Sequence, residues 1–211
     1  VSIGTDVTSI QDDAFADCTS LKTIIIPNTV TSIGKNAFKG CTALESITIP
    51  DSVTWIGNNL FESCTALKSV TLSDNIPFIG NNVFKGCSSL VSVTIQDGVI
   101  GIGDNAFNGC TSLQNLIIPD SVTSIGDNAF KDCTSFVTVV LSNNVTTIGD
   151  GAYNGCNQLM ILTIGNSITS ISDNAFNGCN RLITLTIGNN VTTIGDSAFK
   201  GCIALKELNI P

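Results

Sequence analysis

The sequence predicts a repeat solenoid, in which nine units of 23 residues stack into one elongated domain over residues 1–211. Three observations predict it: a column of cysteines, a column of aromatic residues and a column of leucines, all with one spacing. The cysteines are Cys18, Cys41, Cys64, Cys87, Cys110, Cys133, Cys156, Cys179 and Cys202, so every gap is 23 residues. No insertion or deletion interrupts the period, which is typical of proteins whose units contact only their neighbours.

The aromatic and leucine columns predict the core. The aromatic column is Phe15, Phe38, Phe61, Phe84, Phe107, Phe130, Tyr153, Phe176 and Phe199. The leucine column is Leu21, Leu44, Leu67, Leu90, Leu113, Phe136, Leu159, Leu182 and Leu205. A single 23-residue unit cannot bury its own apolar face, but stacked units cover one another, so these columns are expected to line one continuous core.

Within each unit, the segment after the leucine predicts a strand. In residues 44–49, Ile47 and Ile49 point one way and Thr48 points the other, which is the period of a strand with one buried face. Pro50 ends the strand, because proline has no amide hydrogen for a ladder. Stacked units would pair these strands in parallel into one sheet.

The rest of the unit predicts a second extended stretch and a turn. Val53 and Ile56 mark the stretch, and Gly57 is expected to permit the turn. Asp or Asn follows in most units, as at Asp127, and such residues can cap a short helical turn around the aromatic residue. The predicted coil therefore has a parallel sheet on one face, and short extended segments and helical turns on the other.

Composition argues against several classes of function. The formal net charge of −8, from 17 acidic and 9 basic residues, disfavours nucleic acid, because phosphate binding needs clustered Lys and Arg. The chain has no His, the commonest general base and metal ligand, and no nucleophile–base pair is found, so we expect neither catalysis nor a cofactor. No apolar run approaches the ~20 residues of a membrane span, and Val1-Ser2-Ile3-Gly4 does not begin a signal peptide.

The cysteine column has three interpretations. Nine cysteines cannot all pair as disulfides, although equivalent positions on adjacent coils would lie within ~5 Å and a crosslink would depend on their geometry. A metal site would need closer ligand spacing, such as CxxC, or histidine. We therefore favour a ladder of buried free thiols.

A column of acidic residues raises the question of a cation site. It contains Asp12, Asp104, Asp127, Asp150, Asp173 and Asp196, with Lys35, Asn58 and Asn81 at the intervening positions. Consecutive carboxylates could recruit Ca²⁺. We favour instead that each Asp caps the turn of its own coil and faces water, because a lysine fits poorly in a metal column.

The spacing within the unit resembles the BspA-like, or Treponema pallidum-type, leucine-rich repeat. The residues that carry the resemblance are Phe38, Cys41, Leu44, Ile47, Ile49, Val53 and Ile56, and equivalents recur over essentially the whole chain. The resemblance implies a right-handed leucine-rich-repeat coil and an extracellular or cell-surface protein that binds or adheres to a protein or a glycan. Some members are implicated in adhesion to host matrix proteins, and the family has no shared catalytic motif.

In leucine-rich repeats the strand face is the usual binding surface, so its outward positions are candidate ligand contacts. They include Thr48, Thr71, Thr94, Thr163 and Thr186. The alternative is a solvated sheet face on which Thr is simply a good strand residue. Regular threonine ladders also resemble ice-binding surfaces, which gives a further candidate function.

An aromatic pair interrupts the other face. Trp55 and Phe78 occupy one column on adjacent coils, where most units have Ser or Thr, and they are placed to stack on each other. An aromatic patch at such a position suggests an anchor for a partner. The alternative is local packing.

The two ends and two sequons complete the set of candidate sites. The chain begins and ends in strand segments that contain Val1 and Ile3, and Leu208 and Ile210. With no evident capping units, either the chain belongs to a longer protein or its ends stack head to tail into a fibre or surface layer. Asn144-Val145-Thr146 and Asn190-Val191-Thr192 are candidate N-glycosylation sites.

Overall fold

Residues that are 23 positions apart in the sequence lie side by side in the structure. In this computed structural model, which describes residues 1–114 and 116–206, Ser46 pairs with Ser69 and Ser69 with Ser92, all in parallel. The same offset joins Ser9 to Ser32. The chain therefore forms the predicted parallel β-solenoid, in which each 23-residue unit is one coil.

The described residues form fifteen short strands in two series. In chain order they are β1 (Ser9–Ile10), β2 (Ser32–Ile33), β3 (Ser46–Thr48), β4 (Trp55–Ile56), β5 (Ser69–Thr71), β6 (Phe78–Ile79), β7 (Ser92–Thr94), β8 (Gly101–Ile102), β9 (Ser124–Ile125), β10 (Thr138–Val140), β11 (Thr147–Ile148), β12 (Ile161–Thr163), β13 (Ser170–Ile171), β14 (Thr184–Thr186) and β15 (Thr193–Ile194). The three-residue strands form the sheets β3–β5–β7 and β10–β12–β14, which we call the wide face. The two-residue strands form the sheets of the narrow face.

The aromatic column forms a stack through the middle of the core. Neighbouring rings from Phe15 to Phe199 have centroids 5.0–5.8 Å apart and planes within 4–18° of parallel. The rings from Phe38 to Phe176 are fully buried. Each coil thus covers the ring of the coil before it, as the period predicts.

The segment around each aromatic residue is a run of turns, and none of the described residues forms a helix. Amides of alternate residues donate to the next coil, from Asn36 to Asn58, from Phe38 to Leu60 and from Gly40 to Glu62. The Lys39 amide between them bonds within its own coil, to the Asn36 carbonyl. This alternation puts two residues per coil in the left-handed region, such as Asn36 at φ 56° and Gly40 at φ 70°. Asn and Gly recur there because they tolerate that conformation best.

The glycine that precedes each turn serves close packing between coils. At Gly126 a Cβ atom would lie 2.7 Å from the amide nitrogen of Asp104 and 2.7 Å from the carbonyl carbon of Gly103, in the preceding coil. The backbone at Gly57 is equally close to Lys35, and φ there is not positive. The prediction that Gly57 permits a turn was therefore wrong in its reason, because the glycine lets two backbones approach.

The narrow face is interrupted twice, and each interruption has a local cause. β4 and β6 lie in different sheets, and Pro77, which has no amide hydrogen, precedes β6. β11 and β13 are also in different sheets, and there Ser172 replaces the close-packed glycine. Both substitutions prevent the closest approach of consecutive coils.

Tyr153 supplies a test of the packing in the aromatic stack. The side chain is fully buried in a column of Phe, its hydroxyl has no hydrogen-bond partner among the described residues, and burial raises its pKa well above the usual range. A buried hydroxyl without a partner costs about 1–3 kcal/mol. We therefore expect Tyr153→Phe to raise the free energy of unfolding by about 1 kcal/mol or more, as measured by urea denaturation.

The matched control is Phe130→Tyr, which places the same hydroxyl in the preceding coil and should lower stability. A Tyr153→Phe variant less stable than the parent would show that the hydroxyl is satisfied.

Candidate functional site

The wide face presents two exposed columns of side chains. In β3, β5 and β7 the first and third residues are exposed and the middle residue is buried. Thr48, Thr71 and Thr94 therefore point outward, and so does Thr186 in β14, whereas Thr163 in β12 is half-buried. We call Ser46, Thr48, Ser69, Thr71, Ser92 and Thr94 the hydroxyl patch.

The wide face changes character further along the stack. Ile117 is 84% exposed, Val140 59% and Ile183 54%, and Ile161 and Val137 are 42% exposed each. These five residues, which we call the aliphatic patch, lie on or beside β10, β12 and β14 and in the coil before them. A groove of about 420 Å³ beside them is lined by Leu116, Ile117, Ile118, Asp120, Thr138, Val140 and Ser142.

The sequence places Ile117, Val140 and Ile161 at outward positions of this face, but only its threonines were predicted as ligand contacts. The signal was present, because Ile117, Val140 and Ile161 occupy the same outward columns as the threonines. Ile and Val are also good strand residues.

Trp55 and Phe78 begin β4 and β6 on the narrow face and are 49% and 53% exposed. The prediction that they stack on each other was wrong: they form no ring pair. Phe78 instead lies over Gly101 in the following coil, where an added Cβ would be 3.2 Å from the Cδ1 atom of the ring. The missing side chain at Gly101 provides the space into which Phe78 leans.

Between the two rings lies a cleft, which we call the aromatic cleft. Its volume is about 130 Å³, and it is lined by Trp55, Ile56, Asn58, Ile76, Pro77, Phe78 and Gly80. Elsewhere on this face, backbone amides of one coil donate to the coil before, as from Thr54 to Thr31 and from Ile100 to Pro77. Because Pro77 has no amide hydrogen, the Thr54 carbonyl receives no backbone hydrogen bond in the described chain.

The cysteine column is a ladder of free thiols, as favoured from the sequence. Those from Cys41 to Cys179 are buried, while Cys18 is exposed and Cys202 half-buried. Each buried thiol donates to a carbonyl of the preceding coil, as from Cys64 Sγ to Phe38 O at 3.0 Å. Burial raises the pKa of Cys64 to about 12, so the unreactive thiol form persists at neutral pH.

Side chains of the acidic column connect consecutive coils by hydrogen bonds. Asp104 Oδ1 accepts the amide hydrogen of Asp127 at 3.0 Å, and Asp127 Oδ1 accepts that of Asp150 at 2.8 Å. The prediction that each Asp caps its own coil was wrong for Asp12, Asp104, Asp127 and Asp173, because the close-packed glycine brings these carboxylates against the next coil instead. Asn58 makes the same contact with the amide of Asn81, at 3.0 Å. This explains why amides can replace carboxylates in the column.

The predicted ends are only partly within the described chain. Ser2 forms a parallel bridge with Ile25, and the Ile3 amide donates to the Ile25 carbonyl at 3.2 Å. Leu208 and Ile210 lie outside the described residues. Self-association through the ends stays a prediction.

Both sequon asparagines are exposed, but their amide nitrogens take part in the stack. Asn144 Nδ2 donates to the Asp120 carbonyl and Asn190 Nδ2 to the Asn166 carbonyl, each at 2.8 Å. A glycan on either nitrogen would have to be accommodated beside the preceding coil. Glycosylation stays a prediction.

Threonine hydroxyls of the narrow face donate hydrogen bonds to the preceding coil. The Thr146 hydroxyl donates to the Thr123 carbonyl at 3.1 Å, and the Thr192 hydroxyl donates to the Thr169 carbonyl at 3.2 Å. These hydroxyl hydrogens are therefore used in contacts between coils. Ice binding through the threonine ladders stays a prediction. Within the described ranges there is no helix long and apolar enough to cross a membrane.

Comparison with known families finds the same type of repeat in both halves of the chain. A family model described as a BspA type leucine rich repeat region matches residues 1–114 and again residues 100–211. No curated protein matches the chain in sequence.

Three solved structures are similar to the chain. A leucine-rich repeat protein from Bacteroides ovatus is 30% identical with a TM-score of 0.81, over 100% of this chain and 60% of that protein. The leucine rich repeat protein of T. pallidum is 30% identical with a TM-score of 0.67, over 78% of this chain and 72% of that one. A leucine rich cell surface protein from Faecalibacterium prausnitzii is 28% identical with a TM-score of 0.54, over 98% and 71%. The chain thus spans 60% of the length of the B. ovatus protein.

Proposed function

Because the chain belongs to the BspA-type leucine-rich-repeat family, we propose that it is a non-enzymatic binding module of the cell surface. Its wide face would hold a protein partner and so mediate adhesion. The F. prausnitzii relative is described as a cell surface protein, which supports this location. The fold itself does not specify a partner, so the proposal depends on the surface.

The aliphatic patch is the observation that carries the proposal. Five large aliphatic side chains between 42% and 84% exposed cluster on one sheet face. Scattered exposed apolar residues are normal, but Ile117 and Val140 occupy equivalent positions on adjacent coils and together line a groove, which is typical of an interaction site. Neither the cysteine ladder nor the acidic column offers a comparable surface, because both are occupied by contacts between coils.

The chemistry of the wide face favours a protein over a glycan. Ile117 and Val140 offer contact area but no side-chain hydrogen bonds. An apolar centre beside hydroxyl groups has the composition of a protein interface, with a buried core and a polar rim. The hydroxyl patch would form that rim on one side.

A lysine in the aliphatic patch should weaken binding. Val140→Lys or Ile117→Lys would bury a charge against an apolar partner surface, so we expect the Kd to rise at least about tenfold. Surface plasmon resonance with immobilised fibronectin and laminin, as purified matrix proteins, measures this for the full chain. Circular dichroism of each variant checks that the fold is kept.

The controls separate the parts of the surface. Thr147→Lys adds the same charge at an exposed position of β11 on the narrow face and should leave the Kd unchanged. Thr71→Lys tests the hydroxyl patch. The proposal is wrong if neither matrix protein binds saturably, or if both aliphatic-patch variants bind as tightly as the parent.

A further inference from the structure

We propose that the aromatic cleft of the narrow face is a second binding site, which holds one neutral pyranose ring of a glycan. This site is independent of the wide face.

The walls fit a single ring. Trp55 and Phe78 are half exposed on adjacent coils, and the cleft between them has a volume of about 130 Å³. Phe78 is held away from Trp55 by its contact with Gly101, so the gap is part of the packed structure. Aromatic faces carry partial negative charge, and the axial C–H groups of a pyranose present a weakly positive apolar face to them.

The polar groups at the cleft suit hydroxyls. The Trp55 indole N–H and the Asn58 Nδ2 group have no hydrogen-bond partner among the described residues, while Asn58 Oδ1 is occupied by the amide of Asn81. Two donors of lining residues therefore accompany the apolar surface of the cleft.

This set favours a sugar over an apolar side chain of a protein. A sugar hydroxyl can accept from the indole or the amide. A prolyl or aliphatic side chain has no acceptor and would leave these groups unpaired, which costs free energy on burial.

The charge pattern argues for a neutral ligand. The column that contains Asn58 is charged at most of its positions and carries amides at only two, Asn58 and Asn81, in the coils of Trp55 and Phe78. The charged members are Asp12, Lys35, Asp104, Asp127, Asp150, Asp173 and Asp196. No residue that lines the cleft is charged, so the lining presents hydrogen-bonding groups without a counter-ion for an acidic sugar or a phosphate.

The chain carries its own reporter for this site, because Trp55 is its only tryptophan. Titration of the full chain with the methyl glycosides of glucose, galactose, mannose and N-acetylglucosamine should shift the Trp55 emission saturably for at least one of them. The Kd should fall in the millimolar range, since one ring makes few contacts. Sialic acid and tetraproline are the comparison probes and should give no saturable shift.

Two variants test the contacts without removing the fluorophore. Phe78→Ser restores the residue type common in this column and should weaken binding at least about tenfold, since one wall is lost, whereas Phe78→Tyr keeps the wall and should retain affinity. Asn58→Asp keeps the oxygen that accepts the Asn81 amide but replaces the donor with a charge, so binding should also weaken.

The outcomes separate this site from the wide face. Val140→Lys should leave glycoside binding unchanged, and Phe78→Ser should leave matrix-protein binding unchanged. The proposal is overturned if no glycoside shifts the emission, if tetraproline or sialic acid binds instead, or if Phe78→Ser binds glycoside as tightly as the parent.

Discussion

Phe107→Ala is expected to lower the free energy of unfolding by about 3–5 kcal/mol, the usual cost of truncating a buried phenylalanine to alanine. The Phe107 ring lies in the fully buried stack, with centroids 5.1 Å from Phe84 and 5.2 Å from Phe130. Its loss would leave a cavity between two coils. Because each coil contacts only its neighbours, a cavity there weakens the connection between the two halves of the solenoid.

Urea denaturation measures this effect in two ways at once. Emission of Trp55, in the third coil, reports the N-terminal half, whereas far-UV circular dichroism reports the whole chain. In the parent the two transitions should coincide, and in Phe107→Ala they should move to lower urea and separate.

The control for this variant is Gln114→Ala, which alters an exposed residue of the same coil and should change stability by less than about 0.5 kcal/mol. A Phe107→Ala midpoint equal to that of the control would show that the ring contributes little to stacking.

Gly126→Ala is expected to be the next most damaging substitution, at about 2–4 kcal/mol from overpacking and one lost hydrogen bond. Its Cβ would lie 2.7 Å from the Asp104 amide nitrogen, where no side-chain atom can be accommodated without a shift of the backbone. Moving the coils apart would also break the bond between Asp104 Oδ1 and the Asp127 amide, now 3.0 Å long. The free energy of unfolding from urea denaturation measures the loss.

The same column supplies the matched control. Ser172 already carries a Cβ where the other described coils from the second to the ninth have glycine, and the narrow sheet is interrupted there. Ser172→Ala should therefore cost only the bond from Ser172 Oγ to the Ile148 carbonyl, about 1 kcal/mol. Equal losses in the two variants would contradict the packing role of Gly126.

Much of the fold could be predicted because its information is local or periodic. The alternation of Ile47, Thr48 and Ile49 specifies which side chains are buried in β3, and the uninterrupted 23-residue period transfers this to the other coils. The structure confirms this arrangement, with Ile47 4% exposed and Ile49 1% exposed. The free thiols could also be predicted, because the number of cysteines is odd and their 23-residue spacing does not suit a metal site.

The candidate sites were less predictable, because they depend on where side chains go between coils. Trp55 and Phe78 were identified as departures from the period, but their gap could not be foreseen, since it arises from the contact between Phe78 and Gly101. The aliphatic patch was hidden for a related reason. The period placed Ile117 in an outward column, but isoleucine and valine suit a strand on either of its sides, so residue type alone did not indicate a contact surface there.

The sequence by itself thus determined the stacking unit, its 23-residue register, the buried columns and the two faces. Only the tertiary structure decided the direction of contacts across coils: the carboxylate of Asp127 bonds to the following coil, and Phe78 leans onto Gly101. The physical reason is that the alternation of buried and exposed side chains along a strand depends only on residues a few positions apart. Contacts between coils depend instead on how closely two backbones approach 23 residues apart, and a single glycine, proline or serine sets that distance.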